Sequence, residues 1–164
     1  MAIDTSAQKD WLAVADLNEI ERAMRYADPL TRLPSLELAL LGRAPYPNAI
    51  LVGATEIAGG ILSLALRGLR RPIVQWDPTT LRDVPLPPHG TLVIWNLETL
   101  TAQQQRQLLD ATTEERRATQ IISVAPPAFF ALVARGDFCE ALYYRLNTVC
   151  VDVDVEARPS PLSR

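Results

Sequence analysis

The sequence predicts an α/β protein: a three-layer arrangement with a parallel sheet of about five strands, helices on both of its faces, and a helix ahead of it at the N-terminus. Two observations carry this. Short uninterrupted apolar runs recur, such as Ala49-Ile50-Leu51-Val52, each stopped by a glycine, a proline or a polar turn. A strand covered on both faces reads as such a run rather than as an alternation. Segments with helical spacing separate the runs, and parallel strands need crossovers of that kind.

Each element follows in order. Residues 1–9 read as a disordered start. Asp16 and Glu19 have capping-box spacing, and Ala13, Leu17, Ile20, Met24 and Ala27 form an apolar stripe. They predict a helix over 11–27, which Asp28-Pro29 stops because the residue before proline avoids the helical region. A second short helix fits 34–42, with Pro34 in its first turn and Gly42 at its end. Arg43 to Asn48 is a turn, and Ala49–Val52 is the first strand, ending at Gly53. Residues 57–67 read as a helix that is apolar almost all round.

Pro72-Ile73-Val74-Gln75-Trp76 is the second strand. A proline-rich loop, Val84 to His89, leads to the third, Thr91 to Trp95. Residues 101–116 predict a polar, mostly solvent-facing helix. Gln120 to Val124 is the fourth strand, stopped by Pro126-Pro127. A helix over 127–134 ends at Gly136. Asp137 and Glu140 cap another over 138–145, and Thr148 to Val155 is the fifth strand. A single domain over 10–155 with a flexible tail over 156–164 is the expectation, as 164 residues suit one core.

Bulk properties exclude several classes of function. At 48% apolar and 21% charged, the chain has enough apolar material for a large core. A net charge of −3 argues against nucleic-acid binding, which needs clustered positive charge. Arg67, Arg70 and Arg71 form the one short basic run, so no direct DNA contact is expected. No apolar stretch reaches the roughly 18 residues of a membrane span. The N-terminus has acidic residues and no apolar signal region. Cys139 and Cys150 lack metal-ligand spacing and read as reduced, buried thiols. A cytoplasmic protein without membrane attachment is expected.

The last third carries a motif. Leu132 to Asn147 reads LVARGDFCEALYYRLN, in which LYYRLN follows Gly136-Asp137-Phe138 closely. This stretch resembles the "L…G.FR.DLYYRLN" pattern of the AAA+ domain of sigma-54-dependent transcription activators. Gly90 to Ile94 looks like that family's "GTLFL" strand, Gln103 to Leu109 like its "QxxLL" helix, and Gly53-Ala54-Thr55 like the opening of its phosphate loop. The likeness spans about 34–152 in the family's order and implies a P-loop NTPase-like fold.

The residues that the family's chemistry needs do not follow. A phosphate loop curls backbone N–H groups round the phosphates and places one lysine at the β/γ oxygens. The family's loop falls on Gly53 to Gly60: Gly53 and Thr55 keep its opening, Glu56 and Ala58 replace glycines, and Gly59, followed by Gly60, stands at the lysine position. The acids that hold Mg²⁺ and activate water fall on Trp95 and Asn96. Pro126 takes the sensor asparagine's place, and Cys139 that of one of two arginines, leaving Arg145. Asp77 to His89 alone join the second and third strands, where the family carries its sigma-54-contacting loop. The chain runs out at Arg164, so the family's helical lid and DNA-reading helix-turn-helix are not expected.

Other chemistries find little support. His89 is the single histidine, in a proline-glycine turn with no nucleophile motif beside it. Glu98 reads as a loop carboxylate, and Trp76 as filling for the core or for the former nucleotide cleft. The resemblance, less its missing residues, implies a non-catalytic regulatory or protein-binding module with no cofactor, no metal, and a protein partner or a second copy as its contact. A regulator that binds ATP or ADP without hydrolysis, and an enzyme of unrelated chemistry, are the alternatives. Tyr143, Tyr144 and Arg145 are the candidate contact; the same tyrosines also suit a core.

Overall fold

The computed structural model describes residues 36–113 and 118–153. Its elements are α1 (Leu36–Leu41), β1 (Ala49–Val52), α2 (Thr55–Ala65), β2 (Ile73–Trp76), β3 (His89–Ile94), a 3₁₀ turn (Leu97–Thr99), α3 (Ala102–Thr113), β4 (Ala118–Ala125), α4 (Phe129–Arg135), α5 (Glu140–Leu146) and β5 (Val149–Asp152). The predicted helix over 11–27, the disordered start and the C-terminal tail lie outside the described residues. Five strands form one sheet in the order β2-β3-β4-β1-β5, with every pair parallel. This is the predicted class, a parallel sheet between two helical layers.

The strands' continuous apolar runs are explained by two separate cores. On one face Leu51, Val93, Ile122 and Val124 pack with Leu41 of α1 and with Ala58 and Leu62 of α2. On the other, Ile50, Leu92, Ile94 and Ile121 meet Leu108 of α3, Phe129 of α4, and Leu142 and Leu146 of α5. Successive strand residues serve opposite cores, as the period of two demands. Phe129 and Phe138 meet edge-to-face, their ring centroids 4.8 Å apart.

Local signals set the element ends. Thr101 and Gln104 form a reciprocal capping box that opens α3: the Gln104 side chain accepts from the Thr101 amide at 2.9 Å, and the Thr101 hydroxyl from the Gln104 amide at 3.2 Å. Gly136 closes α4 in the left-handed region at φ 81°, and the Asp137 amide reaches back to the Leu132 carbonyl. Gly90 (φ 98°), the second residue of β3, lies hard against Pro72, where a Cβ would collide with the proline's backbone. The α3 helix departs from expectation: Gln104 and Gln105 are buried rather than solvent-facing. Gln104 donates to the Arg82 carbonyl and Gln105 to that of Leu100, and Gln105 also accepts from the Cys139 amide at 2.7 Å. These bonds compensate the burial of two amides and tie α3 to α5.

At the amino ends of the strands, the buried Gln120 amide donates 2.9 Å bonds to both the Leu41 and the Pro47 carbonyls. Asn48 accepts from the Ile121 amide and donates to the Arg145 carbonyl. Replacing Gln120 with leucine strips two carbonyls of their donor, and each unpaired buried acceptor costs about 1–3 kcal/mol. Denaturant unfolding of Gln120→Leu should therefore show a loss of roughly 2–5 kcal/mol, and a loss below about 1 kcal/mol would contradict this account.

Candidate functional site

In open parallel sheets ligands bind beyond the strands' carboxyl ends, where the chain's direction of winding switches. Here that place is the β1–β4 pair: β1 leads through α2 towards β2, and β4 leads through α4 and α5 the other way to β5. The predicted site residues Gly53, Thr55, Gly59, Gly60, Trp95 and Asn96 do gather at this end of the sheet. Tyr143, Tyr144 and Arg145 sit apart from them on α5.

Gly53 leaves β1 at φ 146°, a conformation that favours glycine, and its amide is taken by the Ala125 carbonyl at 3.0 Å. Ala54 is extended, and α2 begins at Thr55. The segment from Thr55 to Gly60 is thus helix rather than a loop curled round an empty space. The Ala58 amide already bonds the Ala54 carbonyl at 2.9 Å, which turns it away from any ligand. Alanine and glutamate are good helix formers, so Glu56 and Ala58 extend the helix towards the strand where glycines would have broken it. Glu56 is exposed in the first turn, where a carboxylate suits the helix dipole.

Trp95 belongs to the α2 side of the sheet. Its Nε1 donates to Gln75 Oε1 at 3.0 Å, and its Cη2 stops 3.7 Å from where a Cβ on Gly59 would lie. A methyl group fits there at van der Waals distance, so Trp95, one residue past β3, lies directly over Gly59. Trp76, by contrast, is a core residue of the opposite face, 1% exposed, with its indole N–H on the Leu81 carbonyl at 2.9 Å.

Asn96 holds the left-handed conformation (φ 53°, ψ 53°), which asparagine tolerates better than most residues. Its Nδ2 donates to Asp77 Oδ2 at 2.9 Å, and its carbonyl accepts from the Thr99 amide and hydroxyl. The other carboxylate oxygen of Asp77 accepts from the Thr79 amide and hydroxyl. Gln75, Asp77 and Asn96 therefore clamp the ends of β2 and β3 together. Glu98 stands beside them with Oε2 buried and unpartnered. Burial pushes its carboxyl above the ordinary 4.5; its own backbone N–H opposes the shift, and the charge of Asp77 adds to it.

His89 begins β3, at the amino end of the sheet, far from these groups. Among the described residues no three His, Cys, Asp or Glu side chains come together to hold a metal. No described helix is long and apolar enough to cross a membrane. Cys139 is half-buried, and Cys150, expected inside, is exposed on the edge strand β5. A concavity of about 360 Å³ lies at the amino end, lined by Tyr46, Asn48, Thr112 and Thr119 among others. Thr112, Thr119 and Asn48 already use their polar groups within the fold. On α5, Leu142 and Leu146 are core, Tyr143 is half-buried against Phe129 and Phe130, and Tyr144 is 67% exposed. Arg145 is exposed and donates to the Thr112 carbonyl at the end of α3 at 3.2 Å.

No protein-family model matches the chain, and no curated protein matches it. Solved structures do. NtrX from Brucella abortus in complex with ATP matches at a TM-score of 0.59 and 16% identity, over 87% of this chain and 41% of that one. The same protein with ADP matches at 0.58 and 18%, over 90% and 42%. The P-loop NTPase domain of the sigma-54 transport activator from E. coli aligns at 0.47 and 23%, over 65% of this chain and 95% of that domain. The chain spans about two fifths of the length of NtrX. At these identities the likeness concerns the fold alone, a five-stranded parallel α/β sheet with helices on both faces shared with NtrX.

Glu98 gives a pH test of this end of the sheet. Because its folded value is raised, the native state binds more protons at Glu98 than the unfolded chain does between 4.5 and that raised value. Above the raised value the charged carboxylate weakens the fold, and as pH falls towards 4.5 that penalty disappears. Thermal unfolding should show Glu98→Gln melting above the parent at pH 7, with the gap closing near pH 4.5. An equal gap at both pH values, or a lower melting point at pH 7, would refute the assignment.

Proposed function

We propose that this chain is a non-catalytic, AAA+-like regulatory module that works by binding protein, in the cytoplasm, without nucleotide or metal. One observation carries the reading: α2 starts at Thr55, so from Ala58 onward the residues that align with a phosphate loop spend their amides on helix, and the Trp95 indole lies over Gly59. A triphosphate needs free N–H donors and a cation there. Gly59 supplies no cation, Glu56 adds a negative charge, and neither Trp95 nor Asn96 is an acid that could hold Mg²⁺. Kinship of fold with an ATP-binding protein does not bring its activity along, because activity resides in the site.

The exposed Tyr144 and Arg145 support a protein contact on α5, since tyrosine and arginine are frequent anchors at interfaces. The core explanation for this motif holds for Leu142 and Leu146 and in part for Tyr143.

Two measurements test the proposal. Calorimetric titration with Mg-ATP and with ADP at millimolar concentrations should give no saturable heat, and a micromolar dissociation constant would favour the nucleotide-sensing alternative instead. Arg145→Glu should weaken self-association or partner capture while leaving the melting temperature nearly unchanged. The arginine is exposed and gives up one 3.2 Å bond to a helix end, a contact of about 0.3–1 kcal/mol. A strict monomer by light scattering that captures nothing from its host would remove the proposal's support.

A further inference from the structure

The concavity at the amino end of the sheet is walled by five separate stretches of chain. The turn before β1 supplies Tyr46 and Pro47, the loop before β3 Leu86, the end of α3 Thr112, β4 Thr119, and the turn after α5 Thr148. Its volume of about 360 Å³ lies in the usual small-molecule range of roughly 300–1,000 Å³. Gly53 and Asn96 stand at the opposite end of the sheet, so the cavity is separate from the residues that align with a nucleotide site.

The walls are fixed by bonds within the fold. Gln120 holds the Pro47 carbonyl at 2.9 Å, and the Ile121 amide holds Asn48 Oδ1 at 2.8 Å. Tyr46 stands in the left-handed region at φ 56°, an outlier for so bulky a residue. Its amide bonds the Arg43 carbonyl at 2.7 Å, and Arg70 lies 5.1 Å over its ring while bonded to the Ala118 carbonyl. A side chain kept in a disfavoured backbone conformation by its surroundings is a recurrent feature of ligand clamps.

The chemistry of the lining selects the ligand. No lining residue is charged. Arg70 and Arg145 contact Tyr46 and Thr112 but are not part of the lining, and each spends an N–H on a backbone carbonyl. A phosphate or carboxylate would therefore lose water there without gaining a counter-charge. The Thr112 and Thr119 hydroxyls give their protons to the Leu109 and Pro87 carbonyls, at 2.9 and 2.7 Å, so each offers a ligand only lone pairs. The Tyr46 ring, the Pro45 and Pro47 rings, Leu86 and Ile121 supply the apolar walls.

We infer that this cavity binds a small uncharged aromatic molecule with its own N–H or O–H donor, of the indole or phenol kind. The ring lies against Tyr46 and the prolines, and its donor reaches a threonine oxygen. The inference goes beyond the protein-binding reading and does not depend on it.

The test is amide NMR of the full chain titrated with indole. Saturable shifts at Tyr46, Asn48, Thr112 and Thr119 are expected, with a dissociation constant on the order of 1 mM or tighter. N-methylindole keeps the ring but lacks the donor and should bind at least about fivefold more weakly. Indole acetate carries a charge and should bind at least about tenfold more weakly. Tyr46→Gly removes a wall at a position whose φ suits glycine, and Thr148→Trp fills the cavity from its exposed rim. Each should weaken indole at least about tenfold. Should Tyr46→Gly fail to fold by circular dichroism, Thr148→Trp reads the same effect. The inference is overturned by absence of saturable shifts, by shifts centred elsewhere, or by either indole derivative binding as tightly as indole. Variants that bind like the parent overturn it too. It is overturned equally if N-acetyltryptophanamide binds more tightly than indole, which would give the cavity to an aromatic anchor of a protein partner.

Discussion

The side-chain amide of Gln120 is the polar contact on which the rest of the sheet depends. Parallel strands joined by long crossovers have no hairpin turn to fix their alignment. Alignment must come from elsewhere, and a slip of one residue would exchange the two cores. Gln120 supplies a fixed point by holding the end of α1 at Leu41 and the turn at Pro47 against β4. Asn48, next in the chain, then bonds β4 through Ile121, and its carbonyl receives the amide of Val149 at the start of β5. Two side chains and one backbone bond thereby tie β1, β4 and β5 at one end. Their net gain is modest, yet their loss is expensive, because the groups they satisfy are buried.

The opposite end is held differently. There the polar groups of β2 and β3 satisfy each other: Gln75 with Trp95, Asp77 with Asn96 and Thr79. A site that receives a charged ligand keeps donors unspent until the ligand arrives, and pre-placed dipoles are what make such a site effective. Here most of the dipoles are already matched within the fold. The exceptions are Ser123 on β4 and Glu98, whose buried side-chain oxygens have no partner.

Much of this architecture was legible in the residues, and the misses have physical causes. Ala49–Val52 matches β1 in full because an aliphatic run ending in glycine has few other readings. The polar face of α3 misled, since Gln104 and Gln105 look solvated until the backbone carbonyls that they serve are in place. The capping box of Thr101 and Gln104 was the available signal there. The early start of α2 was also readable, as Ala54, Glu56 and Ala58 leave no glycine to interrupt a helix before Gly59. The Trp95–Gly59 contact and the backbone packing of Gly42 against Gly68 were not. Both join residues distant in sequence, and no periodicity encodes which helix will lie over which strand end.

The strand order has a kinetic consequence. Ala49 pairs with Ile122 on one side and with Val149 on the other, so β1 cannot gain either neighbour until 73 or 100 further residues have been made and folded back (122 − 49 and 149 − 49). Closing such spans carries a loop entropy that local helices do not face, and it slows the search for the native state. Meanwhile β2 and β3 can pair across a far shorter connection, which makes them the natural first piece of the sheet. During that interval Ala-Ile-Leu-Val stands as an aliphatic strand with both edges bare, the kind of segment that seeks other chains. Its brevity, and the polar Asn48 and flexible Gly53 at its two ends, serve as gatekeepers for a strand that must wait to be enclosed.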